Sequence, residues 1–161
     1  MKKLFTTLFV MLAVASVAFA QPRAIGGRLG YNEEFSYQHS ITEGMYVDLT
    51  AGFGNVWSPW SYADVTASFD WVFNIKGIWH WFVGPAAGIG YGYGRYYKDN
   101  AYMPLRLNIG GQIGFEWQFG IPLNLTVDWR PMVNVMGFNN NLYSPLYGLA
   151  NIGVGLRYRF H

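Results

Sequence analysis

Few residues in this chain are equipped for chemistry. His39 and His80 are the only histidines ahead of the terminal His161, and cysteine is absent. A metal site takes three or four ligands, and no His, Asp and Glu cluster stands at ligand spacing. No metal, no cofactor and no enzymatic activity are therefore expected. The lack of cysteine also excludes disulfides, thiolate centres and lipidation of an N-terminal Cys. Gly88-Ile89-Gly90-Tyr91-Gly92-Tyr93-Gly94 has the glycine density of a phosphate-cradling loop, but that chemistry needs a strand–turn–helix setting and no helix follows. Asn124-Leu125-Thr126 has the form of a glycosylation sequon, yet it falls inside an expected strand. What remains is a set of opposite charges. Arg28, Arg106, Arg130, Arg157 and Arg159 stand against Asp48, Asp64, Asp70, Glu116 and Asp128. Such a balanced set suits ion pairing better than acid–base catalysis, because buried charges must be paired or hydrogen-bonded.

The elements that position these charges are strands. In the closing stretch, Ile152, Val154, Leu156, Tyr158 and Phe160 alternate with Asn151, Gly153, Gly155, Arg157 and Arg159, which is the period of an extended strand. Alternation of this kind runs almost without a break from residue 23 onward. Three compact breaks read as hairpin turns: Ile41-Thr42-Glu43-Gly44, Lys76-Gly77 and Gly120-Ile121-Pro122. Three longer breaks, 55–61, 93–103 and 137–145, alternate with them. Parity then requires residues 23–40 to fold back once, at Asn32-Glu33-Glu34. Eight strands follow, near 23–31, 35–40, 45–54, 62–75, 78–92, 104–119, 123–136 and 147–160. Pro85 and Pro131 fall inside strands, so a bulge or a missing ladder bond is expected at each.

Sorting the strand residues by face separates two surfaces. One carries Ile25, Leu29, Val47, Leu49, Phe53, Val65, Phe69, Trp71, Ile89, Leu107, Ile113, Phe115, Leu125, Val127, Trp129 and Val133 with the five apolar residues of the last strand, and no charge. The other carries all ten charges named above together with glycines such as Gly26, Gly90, Gly114, Gly153 and Gly155. Small residues opposite long arginines suit the bore of an eight-stranded barrel, which side chains are able to fill. Arg23, Glu33, Glu34, Glu43, Lys76, Arg95, Lys98 and Asp99 are expected in turns, loops or the N-terminus. Aromatics gather in two bands. Trp71, Phe73, Trp79, Trp81, Trp117, Phe119, Tyr158 and Phe160 lie near the tight turns; Tyr31, Phe53, Trp57, Trp60, Tyr91 and Tyr93 lie near the longer breaks. A membrane barrel carries such girdles at both interfaces, with short turns at one end and longer loops at the other.

Residues 1–20, MKKLFTTLFVMLAVASVAFA, have the form of a secretory signal: Lys2 and Lys3, an apolar stretch, and Ala18-Phe19-Ala20 for cleavage. Residues 21–161 then form one domain, in which nine basic and nine acidic residues cancel. That balance argues against nucleic acid or a polybasic membrane-surface role. Aromatics make up 19% and charged residues 12% of the chain, against about 25% charged in an average soluble domain.

The signal, the eight strands and the final Gly153-Val154-Gly155-Leu156-Arg157-Tyr158-Arg159-Phe160 resemble the small OmpA/OmpX-type outer-membrane β-barrels over the whole mature chain. The resemblance implies an all-β, eight-stranded antiparallel transmembrane β-barrel with a side-chain-filled polar interior, monomeric in the Gram-negative outer membrane. It also implies that Tyr158 and Phe160 form an assembly signal read by the barrel-assembly machinery; His161 departs from the family's terminal aromatic. Family members serve as adhesins, envelope anchors and, less often, lipid-modifying enzymes, so a structural or surface-interaction role through the loops is expected, with outer-membrane lipid as partner and no porin activity. The loop aromatics Trp57, Trp60, Tyr96, Tyr97 and Tyr143 are the candidate contacts. Lipid A deacylase-type barrels are similar in size and use a His, a Ser and a carboxylate; His39-Ser40 with Glu43 is the nearest local match, at the wrong end. The alternatives are thus a lipid A-modifying hydrolase, or a soluble secreted lipocalin-like barrel with its apolar side turned inward. On these assignments, arginine at Leu125 or Val127 is expected to cost more than arginine at Thr126.

Overall fold

A computed structural model of the chain describes residues 22–54, 57, 61–93, 105–136 and 148–160. They form nine strand segments: β1 Pro22–Gly30, β2 Glu33–Thr42, β3 Met45–Gly54, β4 Tyr62–Lys76, β5 Trp79–Gly92, β6 Leu105–Gln118, β7 Leu123–Trp129, β8 Met132–Met136 and β9 Ile152–Arg159. Each strand from β1 to β6 pairs antiparallel with the next, β7 pairs with β9, and β9 returns to β1. Segments β7 and β8 both pair with β6 and form one interrupted stave. The result is a closed eight-stranded barrel, and closure removes the exposed edges that an open sheet presents. The expected count of eight is borne out, and the strand bounds differ from expectation by a few residues.

The turns follow their sequence signals. Gly44 at φ 80° and Gly77 at φ 57° occupy the left-handed region at two of the tight connections, where glycine carries no steric penalty. The first hairpin is a correction. Its turn is Tyr31-Asn32, not Asn32-Glu33-Glu34, so Glu33 and Glu34 belong to β2 and alternate like the rest of it. Glu33 faces outward beside Phe53 and Leu29, at the end of the barrel nearer the longer connections. Glu33 therefore puts a charge at the margin of the outer face, where none was expected, and Lys76, expected in a turn, is the last residue of β4 and exposed. The longer connections at 55–61, 93–103 and 137–145 fall mostly outside the described residues, as do Trp60, Tyr96, Tyr97 and Tyr143; Trp57 is fully exposed.

Both prolines interrupt the ladder without shifting its register. Between β4 and β5, partners run to Ser68↔Ala86 and resume at Trp71↔Val83, skipping the position of Pro85. Pro131 separates β7 from β8, and the pairing with β6 continues on either side. A missing N–H removes a ladder bond while leaving the strand's direction intact.

Alternation decides which side chains meet the centre. Leu29, Phe35, Val65, Ile89, Phe115 and Leu156 stand exposed on the outside, while Arg28, Gln38, Asp48, Gln112, Glu116, Thr126, Asp128, Arg130 and Arg157 are buried within. The side chains that a lipocalin-like barrel needs inside are on the outside here. Where staves approach closely, glycine is required by space. A Cβ at Gly26 would sit 2.6 Å from the Cα of Arg157, whereas one at Gly120 meets no atom within 4 Å. Gly26→Val should therefore destabilise the barrel by about 1–3 kcal/mol, the usual cost of overpacking, and Gly120→Ala should leave it unchanged. Denaturant unfolding in detergent micelles, followed by tryptophan fluorescence, measures both; equal stability of the two variants would refute the close approach.

Candidate functional site: a charge network in the bore

The interior is organised by three buried arginines. Arg28 on β1 reaches over β9 to Asp128 on β7, with Nη2 donating to Oδ1 at 2.6 Å and Nε at 2.9 Å. It also donates to Glu34 at 3.3 Å and to Asn151 Oδ1 at 3.1 Å. Arg130, in the break between β7 and β8, crosses the bore. Its Nη1 donates to Glu34 on β2 at 3.1 Å and to Thr50 on β3 at 3.0 Å, while Nε reaches Gln112 at 2.8 Å. Arg157 on β9 donates to Ser36 and Thr126, both at 2.7 Å, and to Asp48 at 3.0 Å. Asp48 is further held by Ser36 at 2.7 Å and Gln38 at 3.2 Å. Fork-shaped guanidinium groups suit this task, since each supplies several donors in a fixed plane.

Glycine makes room for these side chains, as expected. A Cβ at Gly153 would lie 2.5 Å from Arg28 Cζ, and one at Gly155 would lie 2.6 Å from Arg157 Nη1. At the longer-connection end, Arg106 stacks 3.4 Å over the Tyr62 ring and approaches Asp64 at 3.8 Å. The same layer closes through Asn32, which donates to Asp64 at 3.0 Å and accepts from the Tyr62 hydroxyl at 2.5 Å. At the tight-turn end, Arg23 binds Glu116 at 2.6 Å and Gln38 at 2.5 Å, and Arg159 donates to Gln118 at 2.7 Å.

All ten expected residues thus belong to the interior face, though not on equal terms. Arg28, Asp128, Asp48, Arg130, Arg157 and Glu116 make close charge-assisted bonds. Arg106 and Asp64 are loosely joined, Arg159 meets an amide, and Asp70 is bound among the described residues by the Ser68 hydroxyl at 2.5 Å. Two participants were placed elsewhere by the sequence reading. Glu34 was expected in a turn, but its carboxylate is the junction between Arg28 and Arg130. Arg23 was expected at the N-terminus, apart from the strand faces; next to a register shift between Pro22 and Ala24 it turns inward onto Glu116. The alternation Glu34, Ser36, Gln38 carried a signal for the first, and nothing local announced the second.

His39 and Ser40 lie on opposite faces, as neighbours in a strand must. His39 Nδ1 lies 3.0 Å from the Tyr37 hydroxyl on the outer face, whereas Ser40 and Glu43 line the interior mouth. The three do not assemble into a hydrolytic group. Among the described residues there is no cluster of three or more metal-ligating side chains.

Fold and interior together define the class: a closed eight-stranded barrel, apolar outside, with a charge-paired bore. No family model, curated protein or solved structure matches the chain.

Removing one partner of a buried pair leaves the other uncompensated. Arg157→Met should cost about 3–5 kcal/mol, and the loosely paired Arg106→Met about 1 kcal/mol or less. Thr126→Arg should also be severe, against the sequence-based ordering, because Thr126 is fully buried and already accepts from Arg157. Chemical denaturation of the three variants, in parallel, ranks them; an Arg106 variant weaker than the Arg157 variant would contradict the network.

Proposed function

We propose that this protein is an outer-membrane β-barrel, exported with residues 1–20 as a cleaved signal, whose role is structural or interactive through its longer loops. It is a monomer that uses outer-membrane lipid as its solvent and reaches it through the barrel-assembly machinery, with Tyr158 and Phe160 as the terminal signal. The observation that carries this reading is the inversion of the barrel. Leu29, Phe53, Val65, Ile89, Phe115, Ile152 and Leu156 stand between 48% and 67% exposed around the outside, while fully buried arginines occupy the centre. Contiguous apolar surface on this scale is unsuited to water and suited to hydrocarbon. None of the described helical residues forms a helix long and apolar enough to cross a membrane; the strands would do the crossing.

Aromatic contacts support the two boundaries. Phe73 stacks on Trp81 at 4.7 Å, Trp79 meets Trp117 edge-on at 5.1 Å, and Tyr158 meets Phe160 at 5.5 Å, all toward the tight turns. Phe53 and Tyr91 stand exposed toward the other end. The filled bore supports a non-porin role, since water-filled porins have about 16–18 strands and this one is crossed by Arg28, Arg130 and Arg157.

The protein should sediment with outer membranes, resist sarkosyl extraction, and migrate faster unheated than heated on a gel. Recovery in a soluble fraction would refute the proposal. In planar bilayers the purified barrel should show little steady conductance, and porin-like currents would refute the plugged bore. Leu156→Arg should destabilise the barrel in phospholipid vesicles by about 2–4 kcal/mol if that site lies near the midplane, as read by urea unfolding. Phe160→Ala should lower folded yield in cells, and deletion of His161 should not.

A further inference from the structure

Strand β1 joins the sheet at its first residue, where Pro22 stands opposite His39 at the tight-turn end of the barrel. Arg23 is held from two directions. Its carbonyl accepts the Phe160 N–H at 3.0 Å, which ties it to the end of the β9 stave. Its guanidinium donates to Glu116 on β6 at 2.6 Å and to Gln38 on β2 at 2.5 Å, and stands 4.3 Å over the Tyr46 ring of β3. The first brace across the bore is therefore made within two residues of the strand's start. Cleavage after Ala20, in Ala18-Phe19-Ala20, places a single residue, Gln21, ahead of Pro22. Loss of three residues from such a terminus would remove Arg23 and leave the buried Glu116 carboxylate without its counter-charge, which is costly.

The residue in that position has a specific chemistry. A free α-amine titrates at about 7.7–8.0, so near neutral pH a useful share is unprotonated and nucleophilic. In an N-terminal glutamine this nitrogen reaches the side chain's own Cδ through a five-membered ring, and the intramolecular encounter gives it a large advantage over any free nucleophile. The nitrogen lone pair forms the N–Cδ bond, the Cδ–Nε2 bond breaks, and the departing nitrogen takes the proton that the amine loses and leaves as ammonia. No oxidant or second substrate is required, and the Gln21–Pro22 peptide bond stays intact. Pro22 has no N–H, so in the cleaved chain residue 21 holds the one N–H upstream of Arg23; the lactam keeps that donor and discards the charge. We propose that Gln21 is a modification site, cyclised to pyroglutamate in the mature protein, and that this neutral cap denies exopeptidases the free amine two residues from the Arg23 brace. The proposal rests on export and cleavage after Ala20.

The test is reductive methylation of intact cells with formaldehyde and cyanoborohydride, followed by purification of the barrel and mass spectrometry of the whole chain and its N-terminal peptide. Labelling before lysis traps any free α-amine, so a ring closed during handling is not counted; methylation of the exposed Lys76 checks that the reagent arrived. The expected result is a chain of residues 21–161 lighter by one ammonia, with the loss assigned to Gln21 and no methyl group on its nitrogen. Gln21→Ala should restore a methylated terminus while the gel shift on heating is retained. A chain that starts at Gln21 with its amide intact and its amine methylated would overturn the cap and leave the export reading standing. A blocked terminus in Gln21→Ala would also overturn it, because the block would not depend on glutamine. A chain that keeps residues 1–20, or starts at another residue, would overturn the cleavage reading and the cap together.

Discussion

Three guanidinium groups hold the centre of this barrel, and much of the remaining structure is arranged to admit them. Arg28, Arg130 and Arg157 are fully buried, a state that is tolerable only when every charge finds partners. Their partners come from β2, β3 and β7, so each arginine ties together staves that are not neighbours in the sheet. The backbone ladder joins each stave only to the next. The arginines add cross-bracing, and Glu34, shared by two of them, is where the braces meet.

This constraint propagates outward through space. A long side chain that crosses the bore needs a gap on the wall it passes, and Gly153 and Gly155 supply it beneath Arg28 and Arg157. Glycine weakens a strand in isolation; here the same positions admit the arginines whose bonds offset that loss. Pro131 is accommodated in the same stave that presents Arg130, where the ladder is already open and the Arg130 amide bonds instead to the Asn151 carbonyl at 2.7 Å. The outside faces no such demand. Its residues need only be apolar and of period two, which explains why it is far more uniform in type than the interior.

The two ends of the bore differ. Toward the longer connections, Tyr62, Asn32, Asp64 and Arg106 close on one another through hydrogen bonds and ring stacking. Toward the tight turns, Tyr46 and Phe82 place two rings 6.1 Å apart beside an unpaired carboxylate and an open cavity. The plug is thus asymmetric by composition, independent of what surrounds the barrel.

The amino-acid order by itself determined the properties that depend on near neighbours. Alternation with period two put Leu156 and Arg157 on opposite faces without knowledge of any partner, and Gly44 and Gly77 marked their turns because few other residues adopt positive φ. Ring closure through eight staves followed from parity. Tertiary structure decided what depends on register. A turn placed at Tyr31-Asn32 moved Glu34 from a loop to the junction of the network, because shifting a strand's start changes which residues face in. An irregularity at Pro22 and Ala24 turned Arg23 onto Glu116. Five expected positive and five expected negative charges suggested complete pairing, yet Glu34 serves two arginines and Asp70 serves none. Charge counts are local sums, whereas pairing depends on distances across the bore that only the closed ring fixes.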